Sequence, residues 1–158
     1  MRGLGWRSFG GEHGGDFGLA DAFAELAGDF AMAAQAEGAD VLQFHELVRQ
    51  VPIAENLVRY AVRLTAASRP QQPNSPAFVN DWVSWGAGTR AGQFLVLGAK
   101  AQALLQGRTH VSAEDIRSLA APVLRHRVLV NYRAEAEGAT VDSIIQRLLE
   151  TVKEPGVA

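Results

Sequence analysis

The chain has 158 residues, of which 47% are hydrophobic and 20% are charged, and its formal net charge at pH 7 is −2. This balance is typical of one globular domain with or without an appendage, and it does not favour non-specific binding to nucleic acid or to an anionic membrane. The chain has no cysteine, which excludes a disulfide framework and a thiolate zinc site. No segment has the pattern of a signal peptide or of a membrane span, so we expect a soluble, cytoplasmic protein.

The first 37 residues differ in composition from the rest of the chain. Residues 1–18 contain seven glycines without a regular period, which predicts a flexible lead-in. Residues 19–36 carry an apolar row at helical spacing and an acidic row without basic partners, which predicts a weakly anchored helix. The apolar row is Leu19, Phe23, Leu26 and Phe30, and the acidic row is Asp21, Glu25 and Asp29. We expect residues 1–37 to form a Gly/Ala-rich and partly disordered segment.

From Gly38 onward the apolar spacing predicts a series of helices. The first begins at Asp40 with Leu42, Leu47 and Val48 on its apolar side, and the second follows Ile53, Leu57, Tyr60 and Leu64. A short aromatic-faced helix contains Phe78, Trp82 and Trp85 and ends at Gly86. The next runs through Phe94, Leu97, Leu104 and Leu105, with Thr89 as its N-cap and Gly107 just after its end.

The last third of the chain contains the clearest helix start. Ser112 and Asp115 form a capping box, and Val111 and Ile116 form the hydrophobic staple that accompanies it. Residues 128–130 are predicted to be extended, and a final helix follows Thr140. Helices dominate and no internal repeat is present, so the predicted fold is all-α, a small helical bundle with a flexible Gly-rich N-terminal segment.

Most catalytic and metal-binding patterns are missing from the sequence. The histidines, His13, His45, His110 and His126, lack metal-ligand spacing. Glu135 and Glu137 lie two residues apart, which favours a solvated loop over an acid/base pair. A phosphate-binding loop of the form GxxxxGK[ST] is absent, as is an apolar run that ends in the magnesium-holding acids. We therefore expect no metal site and no catalytic residue in this chain.

One cation stands out. Arg90 lies in the first turn of a predicted helix, where the helix dipole disfavours positive charge, and no Asp or Glu occurs from Trp82 to Ser112. An arginine beside the free N–H groups of a helix start suits a phosphate, whereas the alternative is an arginine whose charged end simply lies in water. If Arg90 serves an external anion, it should be exposed and should have no carboxylate partner such as Asp81. From the residues alone both interpretations stay open.

Several motifs, in order over three quarters of the chain, resemble the lid domain of MoxR-type AAA+ ATPases. They are ELVRQVPIA at 46–54, YAVRL at 60–64, WVSWGAGTRA at 82–91, PVLRHR at 122–127 and AEAEG at 134–138. The resemblance covers residues 38–155 and implies an all-α lid of the AAA+ type. In that family the arginine that follows this Gly-Ala-Gly motif is the sensor 2 residue, which reaches the γ-phosphate of ATP held by a preceding core domain. The resemblance assigns this role to Arg90, with Gly88 and Thr89 beside it.

The same resemblance implies a function that depends on other parts of an ATPase. Residues 1–37 are too short for the AAA+ core, so we expect a truncated or split form that is inactive alone. ATP and magnesium would bind at the core–lid junction if a core is supplied, and no cofactor would bind to this chain by itself. The implied partners are a core or neighbouring ring subunit and a client protein. ATP hydrolysis in the family drives chaperone-like remodelling.

Two other classes of function compete with this expectation. The first is a stand-alone protein–protein interaction module with no nucleotide role. The second is nucleic-acid binding, which the net charge disfavours. It would use a set of arginines: Arg59, Arg63, Arg117, Arg125 and Arg127. We expect neither a nucleic-acid nor a membrane partner.

Overall fold

The computed structural model describes residues 38–155, with side chains from residue 42 onward. Its helices are α1 (Gly38–Gln50), α2 (Glu55–Ala67), α3 (Ala77–Trp82), α4 (Thr89–Leu105), α5 (Ala113–Leu124), α6 (Tyr132–Ala136) and α7 (Val141–Thr151), and its strands are β1 (Val83–Trp85) and β2 (Leu129–Val130). The predicted helical bundle is confirmed. The lead-in over 1–18 and the helix over 19–36 lie outside the described residues. No helix in 38–155 combines the length and apolar character that crossing a membrane requires.

Helix α4 is the centre of the bundle and packs against α1, α2 and α5. Its buried face is built largely from small side chains, Ala91, Ala99 and Ala103, together with Leu95 and Leu104. A β-carbon at Gly98 would lie 2.9 Å from Leu119 Cδ1 of α5. The small residues therefore let the neighbouring helices approach α4 closely.

This packing corrects the apolar faces predicted for two helices. Of the four large residues that trace α4 in the sequence, Leu104 is buried, but Phe94, Leu97 and Leu105 are exposed at 46%, 45% and 56%. In α1, Leu42 is also exposed, at 68%. Hydrophobic spacing identified the helices correctly, but close contact selects small side chains for the interior, so the larger ones point away from it.

The predicted C-terminal end of α4 and the predicted start of α5 are confirmed. Gly107 has φ = 68°, and the Arg108 N–H donates to the carbonyl of Ala103 at 2.8 Å, which is the closing bond of a Schellman motif. Ser112 and Asp115 form both bonds of the capping box. The nearly buried Asp115 also accepts a bond of 2.9 Å from Arg108 Nη1. These contacts fix the turn between the two helices.

The aromatic segment before Gly86 forms a strand as well as a helix, which corrects the prediction of one helix ending at Gly86. Helix α3 ends at Trp82, and β1 pairs with β2 in antiparallel fashion, with Val83 opposite Val130 and Trp85 opposite Leu129. The Ser84 hydroxyl donates to the Leu129 carbonyl at 3.0 Å. The paired residues are more than 40 positions apart in the chain, so the spacing of hydrophobic residues within one segment cannot predict this pairing.

Candidate functional site at the start of helix α4

The loop of residues 86–88 connects β1 to α4 and is anchored on the end of α2. A β-carbon at Gly86 would lie 2.3 Å from the carbonyl oxygen of Ser68, so only glycine permits this approach. The Ala87 N–H donates to Ser68 Oγ at 3.0 Å, and Arg69 Nε donates to the Ala87 carbonyl at 2.7 Å. Since Ser68 is fully buried, the loop holds the start of α4 in a defined position.

The N-cap of α4 is Gly88, which corrects the prediction that Thr89 has this role. Gly88 has the extended backbone of an N-cap (φ −76°, ψ 175°), and Thr89 is the first helical residue. No side chain caps this helix, and its first turn contains no acid. No acidic side chain in the first turn of α4 therefore offsets the partial positive charge at this end of the helix.

Arg90 is the second residue of α4 and is exposed. Within residues 38–155 its side chain makes no ion pair and no hydrogen bond. Asp81, the acid considered as its partner, instead pairs with Arg133 at 3.2 Å. A residue that serves an external anion is expected to be exposed and to have no carboxylate partner. In the described part of the chain, Arg90 has both properties.

Arg90 borders a shallow hollow of about 340 Å³ that the sequence analysis did not foresee. His126 and Arg127 come from the turn after α5 and line the same hollow, together with Gly88, and no lining residue is acidic. The Arg127 guanidinium is held in place, since Nη1 donates to the Val123 carbonyl at 2.6 Å and its central carbon lies 5.0 Å from the centre of the Phe94 ring. The hollow therefore brings together the guanidinium groups of Arg90, from α4, and of Arg127, from the turn after α5.

The structure separates the three predicted site residues. Gly88 and Arg90 line the hollow, but Thr89 lines a different groove, between α2 and α4. Sequence reasoning did not give His126 and Arg127 a role in the site. The consecutive basic residues 125–127 were the available signal, but their proximity to Arg90 depends on the packing of α5 against α4.

The arginines considered for nucleic-acid binding are largely engaged with acids or carbonyls. Arg59 pairs with Glu55 at 2.6 Å, Arg117 with Glu154 at 3.1 Å and Arg125 with Asp142 at 2.8 Å. The other two, Arg63 and Arg127, donate to backbone carbonyls. Because acids pair with three of these five arginines, the set lends little support to a basic nucleic-acid surface.

Metal coordination has no candidate in this region. In the part of the chain that the structure describes, no three His, Asp or Glu side chains form a group that could hold a metal ion. Glu137 is one of the two acids for which the sequence left an acid/base pair as an alternative. Its carboxylate accepts hydrogen bonds from Arg133 Nε at 2.8 Å and from Trp82 Nε1 at 2.9 Å. These two hydrogen bonds hold the pKa of Glu137 below its ordinary value, and the bond from Arg133 has the larger effect. Glu137 thus joins α6 to α3.

Comparison with known proteins decides the family. Residues 77–148, which contain the loop, Arg90 and the basic turn, match the AAA lid domain family. The chain contains an AAA lid domain. Over 118 residues it is 33% identical to Chaperone MoxR1 of Mycobacterium tuberculosis, and over 116 residues it is 28% identical to the uncharacterized protein YeaC of Bacillus subtilis. These matches cover 75% and 73% of this chain.

A solved structure supports the same assignment. The lid resembles a "putative ATPase" from Cytophaga hutchinsonii with a TM-score of 0.70 and 35% sequence identity, over 75% of this chain and 36% of that one. The chain also spans only 31% of Chaperone MoxR1 and 33% of YeaC. The similarity therefore concerns the lid region of longer proteins.

Proposed function

We propose that this chain is the lid of a MoxR-type AAA+ ATPase and that Arg90 is its sensor 2 residue. In this proposal Arg90 contacts the γ-phosphate of ATP that an AAA+ core binds, and the lid takes part in the chaperone-like remodelling driven by hydrolysis. The observation that carries the proposal is the exposed Arg90 at the uncapped start of α4, with no acid among the residues that line its hollow.

The geometry of the helix start suits a polyphosphate. The guanidinium can form charge-assisted hydrogen bonds with phosphate oxygens, and the dipole of α4 favours an anion at the same place. A β-carbon at Gly88 would meet no atom within 4 Å, so this side of the loop is open to a ligand. His126 and Arg127 border the hollow and add to its basic character.

The proposed cofactor is ATP with magnesium at the junction between core and lid. The core supplies the phosphate loop and the magnesium-binding acids, and ATP supplies the phosphoanhydride bond that is broken. The lid contributes Arg90 as a binding group and the 86–88 loop as the element that positions it. On this proposal the lid alone has no turnover.

The proposed partners are an AAA+ core and, in a ring, a neighbouring subunit. The β1–β2 ribbon and the start of α6 expose large apolar side chains, Trp85 at 71%, Leu129 at 60% and Tyr132 at 85%, and the first two also line the hollow. Such a concentration next to the proposed nucleotide contact is typical of a surface that another protein covers. The client protein is a separate partner.

The test is the ATPase rate of the lid combined with a MoxR-type core, either joined to it or mixed with it. The variant Arg90→Ala should lower turnover about tenfold or more, since a charge-assisted phosphate contact contributes roughly 1.5–3 kcal/mol. Arg59→Ala is the matched control, because Arg59 is an exposed arginine on α2, away from the start of α4, and pairs with Glu55 of its own helix. Equal turnover of both variants would contradict the sensor 2 role.

The exposed ribbon also favours the second candidate function, a protein-interaction module without a nucleotide role. In that case Trp85→Ala or Tyr132→Ala would weaken binding to a partner, and Arg90→Ala would affect neither partner binding nor any nucleotide-dependent step. Binding of the lid to a core measured with and without ATP separates the two candidates. If ATP changes the binding of the lid to the core and Arg90→Ala removes this change, the result supports the lid function. If neither ATP nor Arg90→Ala changes the binding, the result supports the interaction module.

A further inference from the structure

A long groove between α1, α2 and α4 is not explained by the proposed ATPase function. It consists of two adjoining hollows of about 660 Å³ and 500 Å³ that share Arg49 and Leu97. We call this the α1/α2/α4 groove. Its apolar lining includes Val58, Val62, Val96, Leu97 and Phe94. Val62, Leu97 and Phe94 are exposed at 57%, 45% and 46%, so the described part of the chain leaves a substantial apolar surface uncovered.

The charge of the groove is one-sided. Arg49, Arg69 and Lys100 line its larger hollow, His45 and Arg127 line the smaller one, and neither hollow has an acidic lining residue. Lys100 Nζ donates to the Arg49 carbonyl at 3.0 Å, and Arg69 Nε donates to the Ala87 carbonyl. Among residues 38–155, none of these three cations pairs with a carboxylate. The groove therefore suits an occupant that is apolar on one side and acidic elsewhere.

The sequence directly before α1 has this chemistry. Between Phe17 and Phe44 there are five acids and no lysine, arginine or histidine. The apolar row at Leu19, Phe23, Leu26 and Phe30 forms a single stripe on a helix of 3.6 residues per turn, and the acids at 21, 25 and 29 lie outside that stripe. The stripe matches the apolar lining of the groove, and the acids match its basic lining.

The length and the attachment point of this segment also fit. Residues 19–36 would span about 27 Å as a helix, close to the roughly 25 Å of α4. The segment joins α1 directly, and α1 itself supplies Val48 and Arg49 to the groove. Because the two are on one chain, the segment has a high effective concentration at the groove, so even weak contacts can hold it there.

From these observations we propose that residues 19–36 fold back as an amphipathic helix and occupy the α1/α2/α4 groove of the same chain. The apolar stripe covers Val62, Leu97 and Phe94, and the acids lie near Arg49, Arg69 and Lys100. This inference does not rest on the role of Arg90, since Arg90 does not line the groove, which shares Arg127 with the hollow beside Arg90.

The test uses the 158-residue chain with one spin label. The natural chain has no cysteine, so Ala31→Cys gives a single labelling site outside the apolar stripe. The label should broaden the amide NMR signals of Val62 and Leu97 within the same molecule. A mixture of labelled chain with isotope-enriched unlabelled chain should show no such broadening. Broadening that occurs only in the mixture would mean that a second copy fills the groove, and absence of broadening in both samples would also overturn the proposal.

Matched variants test whether the apolar stripe is responsible. Leu26→Asp puts a charge into the stripe and should abolish the broadening, whereas Ala24→Asp adds the same charge on the opposite side and should preserve it. Amides of residues 22–30 should exchange about tenfold more slowly in Ala24→Asp than in Leu26→Asp. Arg49→Glu, at an exposed site of the groove, should weaken the docking and leave the melting of the bundle nearly unchanged. Equal exchange rates in the two Asp variants would overturn the proposal.

Discussion

The backbone of Gly86 lies directly against the carbonyl oxygen of Ser68, at a separation that leaves no room for a β-carbon. This contact, with the bonds of Ala87 to Ser68 and to Arg69, attaches the loop before α4 to the end of α2. Arg90 follows four residues later in the chain. The position of Arg90 in the bundle therefore depends on a glycine whose contact is with the backbone at the end of α2.

The two glycines of this loop should differ strongly in their tolerance of a side chain. Gly86→Ser would push a β-carbon into the backbone of residues 68 and 69 and should destabilise the lid by about 1–3 kcal/mol. Gly88→Ser meets open space and supplies a better N-cap side chain, so its stability should change by less than about 0.5 kcal/mol or rise slightly. Urea unfolding of the two variants measures the difference, and equal stabilities would show that the loop can separate from α2.

Removal of Arg90 should affect function without affecting stability. The side chain is exposed and has no described ion pair, so Arg90→Ala should change the free energy of unfolding by no more than about 0.5 kcal/mol, in either direction. Relief of the unfavourable charge at the helix start would act towards higher stability. Thermal melts of the lid check this expectation. A variant that melts markedly earlier would indicate a structural role for Arg90, especially if turnover with a core stays normal.

Asp115 should make the stability of the lid depend on pH in the acid range. Burial acts to raise the pKa of this carboxyl, but the hydrogen bonds from Arg108 and Ser112 outweigh burial and hold the pKa below its ordinary value. A lowered folded-state pKa means that the carboxylate stabilises the fold above the unfolded pKa and that this contribution is lost as the pH falls through the folded pKa. Asp115→Asn should therefore cost about 1.5–3 kcal/mol near neutral pH and progressively less in acid.

The neighbouring acid offers a control for this prediction. Glu114 has a side chain that is 82% exposed and lies 3.9 Å from Arg117, so Glu114→Gln should change stability by less than about 0.5 kcal/mol. Urea unfolding at several pH values, from neutral to about pH 3, compares the two variants with the natural chain. If Asp115→Asn were less stable than the natural chain by the same amount over this whole pH range, the result would contradict the role assigned to the Asp115 charge.

The purified 158-residue chain should not hydrolyse ATP above background. Its sequence contains no GxxxxGK[ST] motif, so no lysine can take the position that contacts the terminal phosphates in P-loop enzymes. Phosphate release measured across a size-exclusion peak is the appropriate assay, because contaminating ATPases then separate from the chain. Activity that follows the protein peak would contradict the prediction.

Local features of the sequence determined the class of fold, most of the helix ends and the choice of Arg90. The capping box at Ser112 and the turn at Gly107 involve residues at most five positions apart, so short-range hydrogen bonding determines them whatever the rest of the chain does. The exceptional nature of Arg90 likewise followed from two local facts, its place in the first turn of a helix and the lack of acids nearby in the sequence.

The tertiary structure decided which surfaces are buried and what surrounds Arg90. The packing of α5 against α4 brought His126 and Arg127 to the hollow. The pairing of β1 with β2 converted the end of the predicted aromatic helix into a strand, and the contact of Gly86 with Ser68 set the position of the loop. In α4, close approach of the neighbouring helices selected alanines for the interior and left Phe94 and Leu97 outside. These outcomes depend on distances between residues that are far apart in the chain. The spacing of hydrophobic residues within one helix does not predict such distances.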